Sequence, residues 1–246
     1  GGTLTLTNTT VSENTAGTEG GGGIYNYYGG TLTLTNSTVS GNTASRGGGI
    51  GNWGGTLTLT NSTVSGNTAN DNAGGIFNYN SGTMTLTNST VSENTAGGNG
   101  GGIGNSGSST MTLTNSTVSG NTAGTEGGGI YNASASANLS FSTLTNNQAT
   151  GTSSVGGGIL IDSGTVKLKG VILANNTSGS GSGPECSGSL TSQGYNLIKS
   201  NTDCGFTRQT TDILNQDPAL GALADNGGPT QTHLPAAGSP VLDKVP

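Results

Sequence analysis

The chain has 246 residues, of which 48 are glycine, 28% are hydrophobic and only 7% are charged, a profile that leans toward disorder until internal repetition is tested. The net charge of −6, with the six basic residues scattered at Arg46, Lys167, Lys169, Lys199, Arg208 and Lys244, argues against a nucleic-acid partner, which needs clustered cations. No apolar run approaches the roughly 18–20 residues of a membrane span, and no signal peptide is present. The first residue, Gly1, already lies inside a repeat, so a processed product or a fragment is expected.

In chain order, units begin at Thr3, Thr31, Thr56, Thr83 and Thr110, then more loosely at Ser136 and Thr165, in steps of 28, 25, 27, 27, 26 and 29 residues. Residues 31–44 and 56–69 are identical, TLTLTNSTVSGNTA. Each unit opens with strict alternation, the mark of a half-buried strand. The apolar pair Leu4/Leu6 recurs as Leu32/Leu34, Leu57/Leu59, Met84/Leu86, Met111/Leu113, Ala137/Leu139 and Val166/Leu168. A second column is Val11, Val39, Val64, Val91, Val118, Leu144 and Leu173; a third, after the glycines, is Ile24, Ile50, Ile76, Ile103, Ile130 and Ile159. Three short strands per ~27 residues, no helical period and glycine at the corners predict an all-β fold, a parallel β-helix of about seven coils over residues 1–178. One coil buries too few side chains to offset the ordering of its own backbone, so the coils must stack, and an identical coil fits its own copy.

Asparagine columns support the stacking. Asn14, Asn42, Asn67, Asn94, Asn121, Asn147 and Asn176 share one slot and predict an amide ladder along the axis. Asn26, Asn52, Asn78, Asn105 and Asn132 share another that ends at Ile161, which marks it as inward-facing. Asn8, Asn36, Asn61, Asn88 and Asn115 form a third that gives way to Phe141 and Gly170, and each also spells N-x-[ST]. We expect a ladder here too, because a ladder amide is buried whereas a glycan needs an exposed one.

Val11-x-x-Asn14-x-Ala16 followed by Gly21-Gly22-Gly23-Ile24, and Val118-x-x-Asn121-x-Ala123 followed by Gly127-Gly128-Gly129-Ile130, resemble the FxxN and GGA[IV] repeats of polymorphic outer membrane proteins, with Val for Phe and Gly for Ala. GYNLI at 194–198, DPALGALADNGGPTQTHLP at 217–235 and GSPVLD at 238–243 resemble bacterial right-handed β-helix proteins of the choice-of-anchor type. That resemblance implies secretion and attachment to a cell surface, through an anchor expected beyond Asp243, and supplies no agreed catalytic residue. In an exported chain the only two cysteines, Cys186 and Cys204, are expected to pair, closing a loop within a C-terminal cap at 179–246 that opens with the flexible SGSGSGPECSGS.

Catalytic groups are sparse. Pectin-cleaving β-helices line one sheet with acids, but the corresponding outward slot reads Tyr25, Gly51, Phe77, Gly104, Tyr131 and Leu160. Glu19, Arg46 and Asp71 sit on successive coils, with the acids about 10 Å apart and a surface charge pair as the simpler reading; Glu13 and Glu93 share a slot three coils apart, too far to act together. The one histidine, His233, has no nucleophile marked near it, and a metal site would need more His or Cys ligands. The glycine runs match neither a phosphate loop nor the acidic calcium-binding nonapeptides, so no cofactor or metal is expected.

Two surface arrays remain. Thr31, Thr33 and Thr35 stack on Thr56, Thr58 and Thr60 and on Thr83, Thr85 and Thr87, flanked by Thr3, Thr5, Thr7 and Thr110, Thr112, Thr114, in a flat grid of about 6.7 by 4.8 Å. The grid resembles the faces of ice-binding β-solenoids; β-propensity and duplication are the plainer account of it. Tyr27, Trp53 and Tyr79 share a slot on successive coils, a strip able to receive a sugar face or a protein, or simply to stabilise its corner. The sequence therefore points to a non-enzymatic extracellular or cell-surface solenoid, structural or adhesive. Its expected partners are a second copy stacked head to tail, extracellular matrix or glycan. The alternatives are a polysaccharide- or ice-binding face and a degenerate polysaccharide lyase or hydrolase.

Overall fold

A computed structural model describes residues 1–17 and 20–244. Successive coils stack into four parallel sheets, the first coil reaching the fourth only through a bridge from Thr15 to Thr43; we name three of the sheets by their core residue. The leucine sheet holds Thr3–Thr7, Thr31–Thr35, Thr56–Thr60, Thr83–Thr87, Thr110–Thr114, Ala135–Ser140 and Gly164–Lys169. The valine sheet runs from Thr10–Ser12 through Ile172–Ala174, and the isoleucine sheet from Ile24–Tyr27 through Ile159–Ile161. The fourth was not anticipated from alternation: two-residue strands from Thr43–Ala44 to Thr177–Ser178, too short to show a period, whose alanines Ala44, Ala69, Ala96, Ala123 and Ala149 are buried. Pairing is in register with no slip along the leucine sheet, Leu32 on Leu57, Leu57 on Met84, Met84 on Met111. The three predicted apolar columns form one continuous core from Leu32 to Leu173.

The corners explain residues that the core does not. Asn8, Asn36, Asn61, Asn88 and Asn115 have φ of 48–51°, and Phe141 and Gly170 in the same slot have 52° and 63°. The slot demands a left-handed turn, which Asn and Gly adopt most readily. That turn points the side chain outward, so this column is exposed or half-buried, not the buried ladder expected from sequence. Only lateral bonds from Asn61 to Asn36 and from Asn88 to Asn61, both 3.2 Å, link its amides. The burial argument against the N-x-[ST] reading therefore falls. The glycine two residues before each core isoleucine answers a different demand: a Cβ on Gly48 would lie 2.4 Å from the Thr68 carbonyl oxygen, and one on Gly101 would lie 2.4 Å from that of Gly128.

Beyond residue 178, where the repeat pattern stops, the coil itself continues. Cys186–Ser192 bridges two sheets, pairing with Ile159–Ile161 and with Gly164–Lys169, and Leu197–Ile198 and Ile213–Leu214 extend the valine sheet. From there the chain turns back. Leu220–Ala224 and Thr232–Pro235 form an antiparallel hairpin that lies along the outer face of the valine sheet, where Thr230 Oγ1 donates to the Asn88 carbonyl and Thr90 Oγ1 to the Gln231 carbonyl.

Candidate functional site

The interior is built from amide ladders with a direction. Along Asn14, Asn42, Asn67, Asn94, Asn121, Asn147 and Asn176, each Nδ2 donates to the next Oδ1 at 2.9–3.0 Å. From Asn42 on, the second Nδ2 hydrogen goes to a valine-sheet carbonyl of the coil before, as Asn121 does to Val91. The series ends on Glu185, whose Oε2 accepts from Asn176 Nδ2 at 2.6 Å. A carboxylate accepts without needing to donate, so it terminates the chain of donors where a further amide would leave one unpaired. Glu185 is 2% exposed. Burial pushes its carboxyl above the ordinary carboxylate range, and the Asn176 bonds oppose that only in part.

The second ladder, Asn26 to Asn132, is buried as its end at Ile161 implied, with Nδ2–Oδ1 distances of 2.7–2.9 Å. A third series escaped sequence reasoning. Ser37, Ser62, Ser89, Ser116 and Ser142 accept the amide one coil back, and Asn196 and then Asp212 continue the series. Its signal in the sequence is the serine directly after Asn36, Asn61, Asn88 and Asn115, which also forms the middle of N-x-[ST].

Three features lie on the outside. The threonine grid is in register on the leucine sheet, with Thr31, Thr56, Thr83 and Thr110 exposed and their partners half-buried. Arg46 Nε and Asp71 Oδ2 form a 2.7 Å surface ion pair; Glu19, the third member of that candidate group, lies outside the described residues. Glu13 and Glu93 occupy left-handed corners separated by Gly41 and Gly66 in the same slot, so they do not meet.

The aromatic strip brings together the rings that the sequence places near one another. Tyr27, Trp53 and Tyr79 are in register as expected. Tyr25, Tyr28 and Phe77 join them, and Tyr25, Tyr27 and Tyr28 are 42%, 55% and 52% exposed. Trp53 meets Tyr79 edge-on with ring centres 4.5 Å apart, and Phe77 lies beside Tyr79 at 5.3 Å with planes only 10° apart. Tyr28 reaches across two coils to accept from Asn80 Nδ2 at 2.8 Å. Burial raises the Tyr131 phenol, as do Asp162 and Glu126 nearby.

The tail supplies an arrangement that resembles a nucleophile with its base. Ser119 Oγ and His233 Nε2 are 2.8 Å apart, and His233 Nδ1 lies 2.7 Å from the Gly221 carbonyl oxygen. That carbonyl only accepts, so Nδ1 carries the proton and Nε2 accepts from the Ser119 hydroxyl. Both side chains are covered by the hairpin, at 3% and 7% exposure. The pair is a clip holding tail to coil, with no room for a substrate carbonyl. Sequence could not find it, since 114 residues separate its members.

Cys186 and Cys204 are joined in a disulfide with Cα atoms 5.2 Å apart, as expected. Cys186 takes the place of the core isoleucine, pairing with Ile159. A disulfide points to a non-cytoplasmic environment. Among the described residues no helix is long and apolar enough to cross a membrane, and no group of three His, Cys, Asp or Glu gathers as metal ligands.

A right-handed parallel solenoid with internal amide ladders defines the class of protein. The family described as the right handed beta helix region matches residues 1–178, and the chain belongs to it. No curated protein and no solved structure matches the chain.

Proposed function

We propose that the chain is a non-enzymatic extracellular solenoid with a structural or adhesive role, whose working surface is the aromatic face of its first three coils. The observation that carries this reading is the exposure of Tyr25, Tyr27 and Tyr28 beside Trp53, Phe77 and Tyr79, on a sheet whose outward slots hold rings and glycines where a cleaving β-helix would hold acids. Large apolar side chains left clustered in water are characteristic of contact surfaces. The disulfide supports an exported chain, and the tail motifs that resemble choice-of-anchor proteins, with the repeats that resemble polymorphic outer membrane proteins, support a cell-surface setting. The test is retention of the protein on immobilised extracellular polymers and cell surfaces. Trp53→Ala should weaken retention and leave the circular dichroism spectrum unchanged; undiminished retention would remove the reading.

A further inference from the structure

Along the isoleucine sheet, one outward slot reads Tyr25, Gly51, Phe77, Gly104, Tyr131 on five successive coils, all in register. A ring thus occurs on every second coil with a glycine between. Each glycine makes room for a neighbouring ring: a Cβ on Gly51 would lie 3.0 Å from the Tyr25 ring, and one on Gly104 would lie 3.1 Å from the Phe77 ring. With no side chain to prop them up, Tyr25 and Phe77 lean over these glycines, and Tyr25 stays 42% exposed. Phe77 and Tyr79 stack with their planes 10° and their centres 5.3 Å apart, which adds a second ring beside Phe77.

The repeat of these platforms is two coils, about 9.6 Å. An extended β-1,4-linked chain of pyranose sugars has a matching repeat, because successive rings are turned over and only every second one presents the same face. Its repeat is two rings long, close to two coils. The apolar C–H face of a pyranose stacks on an aromatic ring. The two outward slots carry no charge through five coils; among the described residues the Arg46–Asp71 pair lies at the margin of the first three, and Glu126 and Asp162 lie near Tyr131. A chain of net charge −6 with a neutral face suits a neutral polymer and repels a polyuronate. The indole Nε1–H of Trp53, between the Tyr25 and Phe77 platforms, is buried without an acceptor, the kind of donor that a sugar hydroxyl or a bridging water completes.

We propose that this face binds a single extended chain of a neutral β-1,4-linked polysaccharide, lying parallel to the solenoid axis with alternate sugars on Tyr25, Phe77 and Tyr131. The proposal rests on the aromatic face being the working surface and names what that surface holds. Spanning the three platforms takes five sugars over about 19 Å.

The experiment is calorimetric titration with cello- and chito-oligosaccharides of increasing length, with β-1,3-glucan and polygalacturonate as controls. Affinity should rise steeply from tri- to pentasaccharide and then level off, and both controls should fail to bind. Phe77→Ala should weaken pentasaccharide binding at least about tenfold, or ~1.4 kcal/mol, and bring it to the trisaccharide level. Gly104→Ala, which keeps every ring but lifts Phe77, should weaken it as well, with an unchanged dichroism spectrum confirming the fold. Binding that ignores length, equal binding of β-1,3-glucan, or an unaffected Phe77→Ala would overturn the proposal. If no glycan binds while Trp53→Ala still abolishes surface retention, the polysaccharide assignment fails and the contact-surface reading survives. If Trp53→Ala changes neither, both fail.

Discussion

Replacing Asn121 by Ala probes the amide ladder where it is fully enclosed. Asn121 Oδ1 accepts from the backbone N of Asn94 at 3.0 Å and from its Nδ2 at 2.9 Å, and Asn121 Nδ2 donates to Asn147 Oδ1 and the Val91 carbonyl. Alanine leaves the backbone N–H and one Nδ2 hydrogen of Asn94, both buried, with no acceptor, while the other Nδ2 hydrogen keeps the Val64 carbonyl. Asn147 Oδ1 keeps the Asn121 amide at 3.1 Å, so the acceptor side suffers less. At about 1–3 kcal/mol for each buried group left unsatisfied, the loss is about 2–6 kcal/mol. Asn14→Ala removes an exposed member of the same column whose partner Asn42 Oδ1 keeps the Asn14 backbone N–H at 3.0 Å, and should cost under about 1 kcal/mol. Urea titration gives the two losses, and amide exchange locates them, with protection falling in the coils around residues 94–147 for Asn121→Ala. Local readout matters because long stacks do not always unfold as one unit. Equal losses at the two positions would refute the argument that the ladder acts through buried, mutually satisfied amides.

Three further outcomes follow from the tail. Because burial raises the Glu185 carboxyl in the folded chain above its unfolded value, its contribution to stability is complete below the unfolded value and declines as pH rises through the folded one; Glu185→Gln should flatten that decline, and parallel pH–stability curves for the two proteins would count against it. Reducing Cys186–Cys204, which closes a separation of 18 residues, should cost roughly 3 kcal/mol and expose residues beyond 178 to exchange while the repeats stay protected. His233→Ala should release the hairpin at a cost of about 1–3 kcal/mol, read as faster exchange at Thr90, Thr117 and Ser119, which it now covers.

The sequence by itself determined the solenoid, because a β-helix is nearly one-dimensional: each coil touches only its neighbours, so a column of like residues in sequence becomes a column in space. Leu57 pairs with Met84 and Val64 with Val91 for the same reason that they align when the repeats are written beneath one another. The buried amide ladders and the Tyr27–Trp53–Tyr79 strip were legible on the same ground. Periodicity alone does not say which columns face inward at a corner, where the strand alternation breaks. That is why Asn8, Asn36 and their counterparts read as a ladder although their left-handed turns point them outward. Nor does it say which way a ring lies. Tyr25 and Phe77 became platforms only when Gly51 and Gly104 proved to sit beneath them, one coil on. The remaining surprises come from contacts between segments far apart in the chain, which no repeat encodes. Glu185 completes a ladder of asparagines, and His233 comes back from the tail to Ser119. Local pattern carries no information about either until the tail has folded against the stack.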